Sequence, residues 1–332
     1  MESKNEILRV KNLEAYLCVK DGTIKILDQV NLKIDRGKTL GLVGETGTGK
    51  TVTALSILGI LQPLGKGKPL WKIEGEVLFR GRNLLKVSEE DMRKIRGTEI
   101  TFIPQNPIPS LHPMDIIGSQ TGEAVEVYEK ARRAEIHDMV VSYLGKVEIS
   151  DAKKRYYTFR DQFSGGEGQR IMIAMALIRG PSLLIADEPT SSLDVTVQRQ
   201  VLQLLKAVKE RFHLSMLLIT HDLGVIAEMS DHVAVLYAGK VIECGDVITM
   251  FKEPKHPYTQ GLLAATPRID ATRTSFEFGG IPGESPDPRH PIPGCKFHPR
   301  CKYAKPICSK NEPETIEIKP GHTVSCLRVH EI

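Results

Sequence analysis

No stretch of this 332-residue chain has enough consecutive apolar residues to cross a membrane. The longest uninterrupted apolar run is IMIAMALI at 171–178, against the roughly 20 residues that a spanning helix needs. The first residues, MESKNEILRV, do not have the layout of a signal peptide. An excess of charge of one sign is also missing. The 45 Lys and Arg nearly balance the 41 Asp and Glu, and a net charge of +4 is too weak to argue for nucleic acid. There is no fixed-period repeat and no heptad seam, so solenoids and long coiled coils are excluded. What remains is ordinary for a globular protein, with 41% hydrophobic and 26% charged residues. The length suits one large domain with an appendage, or two modest domains. Such a chain could serve a membrane only by docking on subunits that cross it.

The chain divides by composition. Residues 1–250 mix apolar strands with helical patterns, whereas 252–332 hold 12 of the 20 prolines and four of the six cysteines. A helical pattern rarely survives that proline density, so loops, turns and short strands are predicted for the tail.

Three short motifs carry the chemistry. The first is GETGTGKT at 44–51, preceded by a predicted buried strand over 39–43 and followed by a predicted helix over 50–61. Glycines let backbone N–H groups converge on phosphate oxygens, and a helix N-terminus adds partial positive charge. Lys50 is expected to reach the β- and γ-phosphates and the Thr51 hydroxyl to take a Mg²⁺ position. The second is LLIADEP at 183–189, where an apolar strand delivers Asp187 toward Mg²⁺ and leaves Glu188 one residue further on. There it can orient or deprotonate an attacking water. A third apolar strand, 216–220, ends in His221. The last motif is SGGEGQR at 164–170, whose hydroxyl and paired glycine amides predict an anion-binding turn before a buried helix.

The order of these motifs resembles that of ATP-binding-cassette (ABC) transporter ATPases, and the resemblance covers roughly residues 7–250. It implies an α/β fold: an ABC-type phosphate-loop ATPase domain over 1–250, with a helical subdomain at about 110–163 and an antiparallel β subdomain containing 75–83. ATP contacts are then expected from Tyr16, stacking on adenine, and from Gly44, Glu45, Thr46, Gly47, Thr48, Gly49, Lys50, Thr51 and Val52. Thr51, Gln105 and Asp187 are the implied Mg²⁺ positions. Glu188 is the implied general base, with Gln105 and the γ-phosphate-sensing His221 beside it. Ser164, Gly165, Gly166 and Glu167 would touch ATP bound on a partner subunit, and Ser192, Leu193 and Asp194 resemble the loop that crosses between the two. The chain departs from the usual signature at Phe163, where Leu is common, and at the pair Glu167-Gly168. Glu167 in particular puts a carboxylate where a partner's γ-phosphate is expected.

The segments KHPYTQGLLAATP at 255–267 and PIPGCKFHPRC at 291–301 resemble the C-terminal region of oligopeptide and dipeptide permease ATPases, most nearly the D-type dipeptide subunit. That resemblance implies a heteromeric importer on the cytoplasmic face of the cell membrane. It would contain a second, homologous ATPase, two transmembrane permeases and an extracytoplasmic solute-binding protein, the isolated chain being a monomer. Nickel and glutathione importers share such sequences, and a non-transport ABC ATPase is the other alternative.

Cys295, Cys301, Cys308 and Cys326 form a C-x5-C-x6-C-x17-C series in this 251–332 region. Disulfides are disfavoured in the reducing cytoplasm where ATP is used, and four free thiols are the plain alternative. A metal site is favoured, because a segment with so little apolar core gains order from coordination. Zn²⁺ is one candidate, although the CxxC knuckles that structural zinc prefers are absent. A [4Fe–4S] cluster is the other, and the likeness of this tail to cluster-bearing relatives favours it. His298 is a possible further ligand or part of a turn, while Cys18 and Cys244 read as ordinary thiols.

Overall fold

The computed structural model describes residues 5–20, 22–61, 70–128, 131–191, 193–265 and 280–332. The chain opens with β1 (Glu6–Val19), β2 (Gly22–Asp35), β3 (Thr39–Val43), α1 (Lys50–Ile57), β4 (Trp71–Phe79) and β5 (Arg82–Asn83). There follow α2 (Glu89–Thr98), β6 (Ile100–Ile103), α3 (Pro107–Ser110), α4 (Ile117–Glu126), α5 (Arg133–Lys146) and α6 (Ala152–Arg155). Next come α7 (Gly165–Leu177), β7 (Leu183–Asp187), α8 (Val195–Phe212), β8 (Ser215–Ile219) and α9 (Leu223–Met229). The chain ends with β9 (His232–Tyr237), β10 (Lys240–Asp246), α10 (Val247–Lys252), α11 (Pro257–Ala265), α12 (Pro306–Lys310), β11 (Ile316–Lys319) and β12 (His322–Val324). None of the described helices is long and apolar enough to cross a membrane.

The chain folds as two compact units. One comprises Met1–Ile7, Ile34–Lys38 and Lys86–Ile219; the other comprises Leu8–Lys33, Thr39–Leu85 and Thr220–Ile332. In the first unit β6, β7 and β8 are parallel neighbours, with Ile100 opposite Leu183 and Leu183 opposite Ser215. Every residue of β7 (LLIAD) and β8 (SMLLI) is buried, as expected for parallel strands covered on both faces. Helix α8 follows from its pattern: Val201, Leu202, Leu204, Leu205 and Val208 form its buried stripe. Asp194 caps its N-terminus by accepting hydrogen bonds from the Thr196 and Val197 amides.

In the second unit β3 lies parallel to β9, and β10 pairs antiparallel with both β9 and β12. A separate antiparallel sheet has the order β2-β1-β4-β5. The helix after the phosphate motif is shorter than its apolar pattern predicted, ending at Ile57 rather than 61. Gly59 adopts a left-handed φ of 62°, its amide bonds to Ser56 O and the Ile60 amide to Leu55 O. This glycine-closed C-terminus stops the helix one turn early. The tail departs from expectation in the other direction. It contains the nine-residue helix α11 and the short α12, and each opens on a proline. At a first helical position proline gives up no hydrogen bond and its fixed φ suits the helix, so proline density there did not exclude helices.

Candidate active site

The first unit holds Gln105, Ser164–Glu167, Asp187 and Glu188; the second holds Tyr16, residues 44–52, His221 and the four tail cysteines. Ser192 lies outside the described residues, next to the described Leu193 and Asp194.

In the second unit, strand β3 runs into the phosphate-motif turn and then into α1. Gly44 has φ 156°, and a Cβ there would lie 2.3 Å from the Leu236 carbonyl oxygen, so no side chain fits. Lys50, though nearly buried, folds back over the turn and donates to the carbonyls of Gly44 (2.7 Å) and Glu45 (2.9 Å). The Thr48 hydroxyl donates to Glu45 O at 2.9 Å. Thr46, Gly47 and Thr51 remain exposed, with Val52 half-buried behind them.

Glu45 has partners that its motif does not announce. Its carboxylate accepts from the Arg300 guanidinium through both oxygens, at 2.7 and 2.9 Å, and from the Ser285 hydroxyl at 2.9 Å. Its amide donates to the Tyr258 hydroxyl at 2.9 Å. The Arg300 fork, the largest influence, holds the Glu45 carboxyl below the usual carboxylate range. Tyr16, on β1, donates to Glu14, and the ammonium groups of Lys25 and Lys72 stand 5.6 and 5.5 Å from its ring centre. His221 is exposed just beyond β8, before the Asp222 cap of α9.

In the first unit Asp187 ends β7 with only 3% of its surface exposed. Glu188 follows in a left-handed conformation, φ 47°, fixed by its amide donating to Ile219 O at 2.8 Å. A non-glycine residue held there costs roughly 1–2 kcal/mol, and such strain gathers at functional positions. The Gln105 amide donates to Glu188 Oε2 at 2.9 Å, bringing together two residues 83 apart in sequence.

The signature turn is an N-cap. Ser164 Oγ accepts from the Glu167 amide, and Glu167 Oε2 accepts from Ser164 N and Oγ, both at 3.0 Å. The other Glu167 oxygen pairs with Arg155, whose guanidinium also stands 4.3 Å from the Phe163 ring centre. Burial works against ionising Glu167, but the Ser164 bonds and Arg155 outweigh it and hold the carboxyl below its ordinary range. The two atypical positions, Phe163 and Glu167, therefore share one partner. The Glu167 carboxylate is spent on the cap and on Arg155.

The four tail cysteines line one small cavity of ≈ 20 Å³ together with His256, Phe297 and Arg328. Cys308 is buried, and Cys295, Cys301 and Cys326 are half-buried. Burial pushes the Cys295 thiol up to about 11 and raises Cys301 and Cys326 as well, against the opposing pull of the Phe297, Tyr303 and Arg328 amides. His298 Nδ1 lies 3.0 Å from the Cys295 carbonyl oxygen within a 3₁₀ turn, which makes it part of the turn. Among the described residues, no group of three or more His, Cys, Asp or Glu side chains is arranged to hold a metal ion. The metal-site expectation is thus met only as far as a shared cavity: the four cysteines line it together, but they are not arranged as a metal-holding group.

Sequence reasoning missed Arg300, Ser285 and Tyr258 as neighbours of the phosphate motif. Its available signal was the buried-looking Arg and Tyr of HPRC and KHPYT, which carried no spacing relation to residue 45.

Residues 27–191 match the family described as ABC transporter, and residues 242–308 the family described as oligopeptide/dipeptide transporter, C-terminal region. The chain is 43% identical over 326 residues to the probable peptide ABC transporter ATP-binding protein y4tR of Sinorhizobium fredii, covering 98% of this chain and 96% of that protein. It is 41% identical over 321 residues to the dipeptide transport ATP-binding protein DppD of Bacillus subtilis, covering 97% and 94%. Among solved structures it is similar to the dimeric ATP-binding cassette MJ0796 bound to ADP and Pi, with TM-score 0.63 and 25% identity over 72% of this chain and 98% of that one. A glycine turn closed by Lys50, a capped signature helix and this full-length likeness lead to one conclusion: the chain belongs to the ATP-binding proteins of the ABC transporters, in the branch that carries the oligopeptide/dipeptide-type C-terminal region.

Proposed function

We propose that this ATPase powers import of di- or oligopeptides. It would do so as the peripheral, cytoplasmic-face subunit of a complex with a homologous ATPase, two permeases and an extracytoplasmic binding protein. The observation that carries the reading is the likeness to DppD along nearly the whole of both chains, C-terminal region included. ATP and Mg²⁺ are the cofactors. Lys50, the loop amides and Tyr16 bind the nucleotide, and Thr51, Gln105 and Asp187 serve the metal. Ser164–Glu167 meet the nucleotide of the partner ATPase. Glu188 takes the proton of the attacking water; the Gln105 amide, already bonded to it, orients that carboxylate, and His221 senses the γ-phosphate. In the assembled transporter, Glu188→Gln should slow peptide-stimulated hydrolysis by roughly 10²- to 10⁴-fold while sparing ATP binding. Near-normal turnover in that variant would remove Glu188 from the role, and stimulation by nickel or glutathione in place of peptides would reassign the cargo.

The four cysteines are read as the holders of a [4Fe–4S] cluster, supported by their common cavity and by the amides directed at three of the sulfurs. Such a cluster would brace a region with little apolar core. Anaerobically purified protein should contain about four irons and four sulfides per chain and lose them in Cys301→Ser. One zinc per chain, or no metal, would overturn this part of the reading.

A further inference from the structure

A carboxylate inside a phosphate-binding turn is an electrostatic liability. The turn works by gathering positive potential from amides and from Lys50, and an unpaired Glu45 would repel the incoming phosphates. The fold answers with a cation from 255 residues away: Arg300 grips both Glu45 oxygens, and its side chain is only 7% exposed. The grip is itself fixed. Arg300 Nε donates to Pro282 O at 2.8 Å, and the turn before it is anchored by Phe297, whose ring stands edge-on to Tyr237 and Tyr258 at 5.2 and 5.4 Å. Tyr258 in turn receives the Glu45 amide.

The same turn reaches the other end of the nucleotide site. Lys296 donates to Asp28 at 2.9 Å and to Ala238 O at 3.1 Å. Asp28 also accepts from Lys25 at 2.6 Å, and Lys25 donates to Glu14 at 2.8 Å, the carboxylate that holds the Tyr16 hydroxyl. One short segment between Cys295 and Cys301 thus supplies two cations, one to the phosphate turn and one to the network behind Tyr16.

We propose that Arg300 is a positioning residue for ATP: by neutralising and turning away Glu45, it keeps the phosphate turn receptive to triphosphate. The inference rests on the ATPase reading, in that the turn is taken to bind ATP. The test is ATP affinity of the full chain by calorimetry, with each variant checked for its melting temperature. Arg300→Gln should weaken ATP binding about tenfold, and Arg300→Lys, which keeps the charge without the fork, about threefold. The double variant Glu45→Gln/Arg300→Gln should return to within about threefold of wild type, because no unpaired charge remains in the turn. In the assembled transporter, Arg300→Gln should raise KM for ATP more than it lowers kcat. An Arg300→Gln affinity within about twofold of wild type, or a double variant no better than the single, would overturn the proposal. Should Arg300→Gln not fold, Arg300→Lys against its own Glu45→Gln double decides the same question. A wild-type chain that fails to bind ATP would instead sink the ATPase reading itself.

Discussion

The phosphate turn and the signature turn solve the same problem differently. Each is a glycine-rich loop at a helix N-terminus, each contains a glutamate, and each glutamate is held by an arginine. At the signature turn the arginine, Arg155, lies 12 residues upstream, and the glutamate doubles as the third residue of a capping box with Ser164. At the phosphate turn the arginine comes from the far end of the chain and is buried at 7% exposure, against 25% for Arg155. The lesson is that a local device can be assembled from adjacent sequence, whereas the long-range one makes the phosphate turn depend on the C-terminal region having folded.

The largest expected contrast comes from the glycines. In Gly44→Ala the new Cβ would collide with the Leu236 carbonyl oxygen at 2.3 Å, a backbone atom of strand β9, and φ is 156° as well. In Gly166→Ala the obstacle at 2.4 Å is a methyl of Val197, which can rotate. We expect a loss of more than about 3 kcal/mol for the first and about 1 kcal/mol for the second, read by denaturant titration. Equal losses would mean that the β9 contact does not distinguish the two turns.

The arginines should separate next. Arg300→Gln leaves a partly buried carboxylate unpaired and should cost about 2 kcal/mol. Arg155→Gln removes a more exposed pair whose glutamate retains its bonds to Ser164, so less than about 1 kcal/mol is expected. The comparison would fail if Arg155→Gln proved the more damaging.

How much of this was open to sequence follows the same division. The strands β3, β7 and β8, the phosphate turn and the capped signature helix were legible because each is written in a dozen adjacent residues. The sequence SGGE even contains the Ser-x-x-Glu pattern of the capping box, although the motif drew attention to Glu167 as a phosphate neighbour instead. The end of α1 is legible too, in Gly59, although the apolar pattern runs past it to residue 61 and masks that stop. The Arg300–Glu45 pair was not legible, because no periodicity links residues 255 apart and one chain offers no covariation. The four cysteines stood between: their count pointed to a common site, and the fold does bring them to one cavity, but among the described residues they do not form a metal-holding group, which spacing along the chain could not reveal.

The smallest effect is a pH dependence confined to the phosphate side. Complete burial lowers His256 from an ordinary 6.5 to about 3, and its Nδ1 accepts the Tyr258 amide at 3.0 Å, so the folded ring is neutral. The unfolded chain takes up a proton near 6.5 while the folded chain does not, so the unfolded state binds more protons as the solution is acidified. The His256 contribution is therefore full above 6.5 and is lost progressively as pH falls from there toward about 3. Between pH 7 and 6 the loss should be on the order of half a kcal/mol. The Tyr258 hydroxyl receives the Glu45 amide, so acidification should loosen the phosphate turn before the signature turn, whose cap rests on Ser164 and Glu167. Hydrogen exchange at the Glu45 and Glu167 amides between pH 7 and 5.5, corrected for intrinsic rates, reads both at once. His256→Asn, which keeps an acceptor but cannot titrate, should abolish the difference; an unchanged difference in that variant would place its source elsewhere.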